Sequence, residues 1–128
     1  MLTRDMELVR EVLLRVEALS HPPGTRGIYF GGHEEFQIDG YEPDAIEHHM
    51  RLLVDAGFIK GKLAGQGVMI ECLTWEGHEF LDSIRSPEIW RDTKAAASKV
   101  GSVSLRVVGE IAVALGKSVV KQHTGLDF

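Results

Sequence analysis

Three features of the sequence predict a mixed α+β fold. An alternating run, Val68 to Leu73, passes without a linker into a helix signal, Thr74-Trp75-Glu76-Gly77-His78-Glu79-Phe80-Leu81. A glycine-rich tip, with Gly61, Gly65 and Gly67, joins that run to an earlier strand signal from Phe58 to Lys60. Amphipathic helical periodicity precedes this hairpin twice and follows the junction helix twice. The order helix, strand, helix, strand, tip, strand, helix is that of a winged-helix-like domain with one deviation, followed here by a C-terminal helical extension: the space from Tyr41 to Gly57 holds one good helix where a standard domain has two. We read residues 1–86 as the winged-helix-like domain. Residues 87–128 form the extension, packed on the same core.

The first helix is predicted over residues 4–20. Met6, Val9, Val12, Leu13, Val16 and Leu19 fall at three- and four-residue spacings and make one apolar stripe. His21-Pro22-Pro23-Gly24 stops it. Ile28-Tyr29-Phe30 suits a short strand and Phe36-Gln37-Ile38 an edge strand. The second helix runs from Pro43, harmless in a first turn, to Ala56. Its inner face is Ile46, His49, Met50, Leu53 and Ala56, and Gly57 suits a left-handed cap.

In the second strand of the hairpin, Val68, Ile70 and Cys72 are expected on one face. Thr74 caps the junction helix, and Gly77 allows close packing there. Ser86-Pro87-Glu88 starts the next helix, with a serine cap, a proline in the first turn and an acid near the positive dipole end. A final helix is predicted over Val103 to Gln122. Gly109 and Gly116 weaken it by about 1 kcal/mol each relative to alanine.

The chain has 128 residues, 44% hydrophobic and 26% charged, which suits one domain with a real core. The formal net charge is -5. A dedicated nucleic-acid binder usually carries a basic surplus, so any such face here is a local patch. Cys72 is the only cysteine. An intramolecular disulfide and cysteine-rich zinc sites are therefore excluded. The apolar alternation around Cys72 predicts a buried, inert thiol. No apolar run is long enough to span a bilayer, and residues 1–5 show no apolar signal core. These features predict a cytoplasmic protein without membrane partners.

The run Leu73-Thr74-Trp75-Glu76-Gly77-His78, continued by Phe80, Leu81, Asp82, Ile84 and Arg85, carries a resemblance. So do Gly40-Tyr41, Ile46, His49, Leu52-Leu53, Ala56-Gly57 and Ile59, and the opening Arg4-Asp5-Met6-Glu7-Leu8-Val9-Arg10. With these residues the chain resembles a family of small bacterial and phage-borne proteins classed as a domain of unknown function. The resemblance covers roughly the first two thirds of the chain. It implies a winged-helix-like domain and brings no catalytic residues.

The helix from Pro43 to Ala56 stands where such a domain places its recognition helix. Its outer residues are Asp44, Glu47, His48, Arg51 and Asp55. Three acids beside one arginine argue against the usual major-groove pose. The hairpin carries Lys60 and Lys62, which suit phosphate contacts or simply guard a strand edge. Arg51, Lys60, Lys62 and His48 are the DNA-contact candidates, with Arg26 and His49 widening the patch if the fold gathers them. Thr74, Trp75, Gly77 and His78 are the structural junction. Trp75 is expected to cover the joint, and His78 to orient the corner through Asp82 or a main-chain group.

Metal chemistry finds no ligand set. His48 and His49 point about 100° apart on a helix, and His78 with Asp82 gives two ligands only. His49 reads as a buried histidine bonded to a backbone carbonyl. No phosphate-binding loop or nucleophile elbow is present, so neither an enzyme nor a cofactor is expected. Val108, Ile111, Leu115 and Val119 on the last helix suit either its own core or the seam of a homodimer. The leading expectation is a small bacterial or phage-type regulatory protein that binds double-stranded DNA. The alternative is a protein–protein interaction module on the same scaffold, without DNA binding.

Overall fold

The computed structural model describes residues 4–19, 28–30, 37–63, 67–100 and 104–124. Among these it is a mixed α+β structure with five helices and one small antiparallel sheet. The chain divides into two compact units, Met1–His78 and Glu79–Phe128.

The first unit contains α1 (Met6–Ala18), β1 (Ile28–Phe30), α2 (Pro43–Asp55), β2 (Ile59–Leu63), β3 (Val68–Leu73) and the first turn of α3 (Trp75–Ile84). The sheet order is β1-β3-β2, with β3 central and both pairings antiparallel. Helices α1 and α2 pack on each other and on the sheet. The core joins Leu8, Val9, Val12, Leu13 and Val16 of α1 to Ile46, Met50 and Leu53 of α2, with Ile59, Val68, Ile70 and Leu73 from the sheet. Each such side chain stabilises by roughly 1.5–3 kcal/mol when fully buried. That outweighs the surface ion pairs, worth about 0–1 kcal/mol each.

Helix α1 begins later than the stripe alone predicts, because Asp5 is its N-cap. The Asp5 carboxylate accepts from the N–H groups of Glu7 at 2.9 Å and Leu8 at 3.4 Å. Helix α2 ends at Asp55, and Ala56 is its exposed cap residue rather than part of the buried face. Gly57 then takes φ +86°, a conformation that costs a residue with a Cβ more than it costs glycine. The predicted edge strand at 36–38 is not formed over Gln37 and Ile38, while Phe36 lies outside the described residues. Ile38 is instead buried at a turn, where its carbonyl accepts from the Tyr41 N–H at 3.2 Å.

Cys72 is exposed, not buried. The register explains the correction. Lys60 pairs with Cys72, but Gly61 pairs with Ile70, so Glu71 is an extra residue in β3. This bulge breaks the two-residue alternation. Val68 and Ile70 face the core before it and Leu73 faces the core after it, which turns Cys72 outward.

In the second unit, α4 (Pro87–Val100) packs against α5 (Leu105–Thr124). Ser86 caps α4 through the Ile89 N–H at 3.4 Å, and Ser104 caps α5 through the Val107 N–H at 3.3 Å. Phe80, Leu81, Ile84, Trp90, Val108 and Ala112 are buried. Gly109 leaves room for the Phe80 ring. Lys94 holds its Nζ 5.6 Å from the centroid of the Trp90 ring. Thr93 is fully buried, and its hydroxyl has no hydrogen-bond partner among the described residues.

The strand-to-helix corner forms as the sequence predicts. The Gly77 N–H donates to Thr74 Oγ1 at 3.0 Å, and the Thr74 hydroxyl donates to the Gly57 carbonyl. The Thr74 N–H donates to the Phe58 carbonyl at 3.0 Å. A Cβ at Gly77 would overlap that same carbonyl. Gly77→Ala is therefore expected to destabilise the protein by about 1–3 kcal/mol. The check is a urea melt, in which the midpoint falls and the slope is unchanged.

Candidate nucleic-acid interface

The candidate interface rests on α2 and the β2–β3 hairpin. Arg51 lies on α2 one turn after Glu47 and pairs with it at 3.4 Å. Its Nη2 also donates to the Gly67 carbonyl at 2.9 Å. Gly67 is the residue before β3, next to the Leu63–Val68 pair that closes the described ladder. Arg51 thus ties the foot of the hairpin loop to the helix. Lys60 and Lys62 are two apart on β2, and both are exposed. The Lys60 side chain is 68% exposed and pairs across the sheet with Glu71 at 3.5 Å. Lys62 stands opposite Met69.

The outer face of α2 is acidic. Glu42, Asp44 and Asp55 are exposed, and Glu47 is held by Arg51. His48 is partly buried, its ring edge-on to His49 with centroids 5.6 Å apart. The fold therefore brings Arg51 to the hairpin, while it engages His48 with its neighbour. Arg26 lies outside the described residues. Among the described residues, no group of three His, Cys, Asp or Glu side chains is placed to hold a metal ion.

His49 is 1% exposed, and both its ring nitrogens are bonded. Nδ1 lies 2.8 Å from the Ala45 carbonyl and Nε2 lies 2.8 Å from the Asp5 N–H. Opposite a carbonyl Nδ1 must donate, and opposite an N–H Nε2 must accept, so the ring is the neutral Nδ1–H tautomer. The bond to a backbone carbonyl is the one the sequence predicts. The bond to Asp5, 44 residues away, has no local signal.

Two junction residues behave differently from expectation. Trp75 is 76% exposed and does not cover the joint. The inward stripe of α3 is Gly77, Phe80, Leu81 and Ile84. Position 75 is two residues from Gly77, which puts it on the far side of the helix. His78 faces Glu17 of α1, with Nδ1 and Oε2 3.9 Å apart. Asp82 instead takes a 2.8 Å bond from Arg85. On α5, Val108 is buried within its own unit, Ile111 and Leu115 are partly buried, and Val119 is 42% exposed.

A family profile described as "Hypothetical protein (DUF2513)" matches residues 3–104. The chain belongs to this family. A relative from Haemophilus influenzae, described as an uncharacterized protein, is 30% identical over 114 residues, covering 85% of this chain and 91% of the relative. No solved structure matches the chain. In this DUF2513 chain, no helix among the described residues is long and apolar enough to cross a membrane.

Arg51→Ala removes a charged donor from the Gly67 carbonyl and is expected to cost about 1–2 kcal/mol. Amide exchange would show faster opening at the Lys62–Val68 end of the hairpin than in α1. Trp75→Ser is expected to shift stability by no more than about 0.5 kcal/mol in a thermal melt, as suits an exposed side chain.

Proposed function

We propose that this DUF2513 protein is a small bacterial or phage-type regulatory protein on a winged-helix scaffold. It binds double-stranded DNA through its β2–β3 hairpin, in the cytoplasm, and without catalysis or a cofactor. One observation carries the reading. A hairpin bearing exposed Lys60 and Lys62 is held against α2 by the Arg51 bond to Gly67. The β1-β3-β2 sheet order, with the β2–β3 hairpin entered from α2 and left into α3, supports the scaffold.

The same geometry limits the mode of binding. The exposed acids on α2 repel phosphates, so this helix does not enter the major groove. Contact falls to the lysines, which meet phosphates and carry no sequence information directly. Two phosphate contacts predict a salt slope of about -2 in log–log terms. A homodimer through α5 would use Ile111, Leu115 and Val119, since Val108 is already buried.

The second reading is a protein–protein interaction module on the same scaffold. The acidic outer face of α2 and the exposed Trp75 favour it. Tryptophan is a residue type that dominates binding hot spots.

A mobility-shift titration on random duplex separates the two. Binding is expected at about 50 mM salt and weakens at about 200 mM. The double change Lys60→Glu with Lys62→Glu abolishes it. No shift at the lower salt, with protein in the tens of micromolar, overturns the DNA reading and leaves the interaction module.

A further inference from the structure

We infer that His49 is a pH-sensitive latch that fastens the N-terminus of α1 to α2 and releases it when a proton reaches Nε2. The device goes beyond DNA binding and does not depend on it. Its basis is the allocation of the two ring nitrogens. Nδ1–H is committed to the Ala45 carbonyl on the same helix, and Nε2 is the acceptor for the Asp5 N–H. A proton on Nε2 sets one N–H against another at 2.8 Å, and the bond becomes a repulsion.

Asp5 is a sensitive place for such a change. Its side chain caps α1 by accepting from Glu7 and Leu8, and its carbonyl accepts the Val9 N–H at 3.0 Å. Displacing the Asp5 backbone therefore disturbs the whole first turn of α1. The core of this unit does not share that sensitivity. Leu53, Ile59, Val68 and Ile70 are buried apolar positions on α2 and the sheet.

The surrounding charges set the direction of the response. Burial is the main cause that lowers the His49 pKa below its ordinary 6.5, and His48 and Arg4 lower it further. The bond to Ala45 and the charge of Asp5 act the other way. Tyr41, in the turn before α2, faces Asp5, Glu7 and Glu11, and its own pKa is raised chiefly by burial. Arg10 on α1 pairs with Glu11 at 3.9 Å. On α2, Glu47 is held by Arg51, and Asp44 is exposed. The strands packed on α2 carry Lys60 and Glu71, which pair with each other, and exposed Lys62.

A ring that is harder to protonate when latched favours the latched form at high pH. The latch is fully present above about 6.5 and is lost as pH falls toward the lower value of the latched ring. Release thus belongs to the acidic side of the ordinary histidine value.

Amide exchange on the full chain, followed by NMR from pH 8 to pH 5, reads the latch directly. After correction for intrinsic exchange, protection at Asp5, Glu7 and Leu8 is expected to fall on the order of tenfold or more as the His49 ring titrates. Protection at Leu53 and Ile70 stays. His49→Gln removes the pH dependence at Asp5 to Leu8, and His48→Gln preserves it. The proposal is overturned by unchanged protection across the range, by loss of all five amides together, or by a response that depends on His48. Should His49→Gln not fold, the wild-type comparison of first-turn and core amides still decides.

Discussion

The Phe58 carbonyl is approached from two directions at once. The Thr74 N–H donates to it, and the bare Cα of Gly77 sits against it. One residue earlier, the Gly57 carbonyl takes the Thr74 hydroxyl, which in turn accepts from the Gly77 N–H. Four residues thereby fix three elements relative to one another: the end of α2, the start of β2 and the turn from β3 into α3. A side chain at 77 would drive these apart, and an apolar residue at 74 would leave backbone groups unbonded. The hairpin leaves and returns at this joint, so its orientation against α2 is set here. Arg51 holds the opposite end through Gly67. The lysines on β2 thus ride on a ladder tied at both ends.

A second tie acts at the other side of the core. His49 occupies an inward position on α2 that an apolar residue would fill by packing alone. It spends one nitrogen on its own helix and the other on the N-cap residue of α1. Buried polar groups are costly unless bonded, and here both nitrogens are. The arrangement adds a directional link to a contact that includes buried Leu, Val, Ile and Met side chains. It also makes that link conditional on a single proton. Thr93 in the second unit contrasts with this, since its buried hydroxyl has no partner among the described residues.

Much of the architecture was legible because it is written locally. The apolar spacings of α1 and α2, the caps at Thr74 and Ser86, and the left-handed Gly57 each involve residues within one or two turns of chain. The differences have local causes at Asp5 and Trp75 and a long-range one at Cys72. Asp5 falls inside the helix that the apolar stripe predicts over residues 4–20, although aspartate is a preferred N-cap residue and caps α1 here. Alternation puts Cys72 on the inner face, and the bulge at Glu71 shifts that count by one. A bulge depends on the partner strand and has no signature in its own run. The place of Trp75 just after the Thr74 cap suggests that it covers the joint, whereas the stripe through Gly77, Phe80 and Leu81 points it to solvent.

The candidate site follows the same division. The lysines of the hairpin and the acids of α2 were visible as residue types at known spacings. Their surroundings were not, because Lys60–Glu71, Arg51–Gly67 and His49–Asp5 join residues 11, 16 and 44 positions apart. Sequence by itself determined the α+β class, the order of elements, the inward helix faces and the threonine–glycine corner, since these rest on backbone propensity and period. Tertiary structure decided which strand residues face inward, which cations remain available, and what the buried histidine holds. Those outcomes depend on register and on partners brought from distant parts of the chain, which no local pattern encodes.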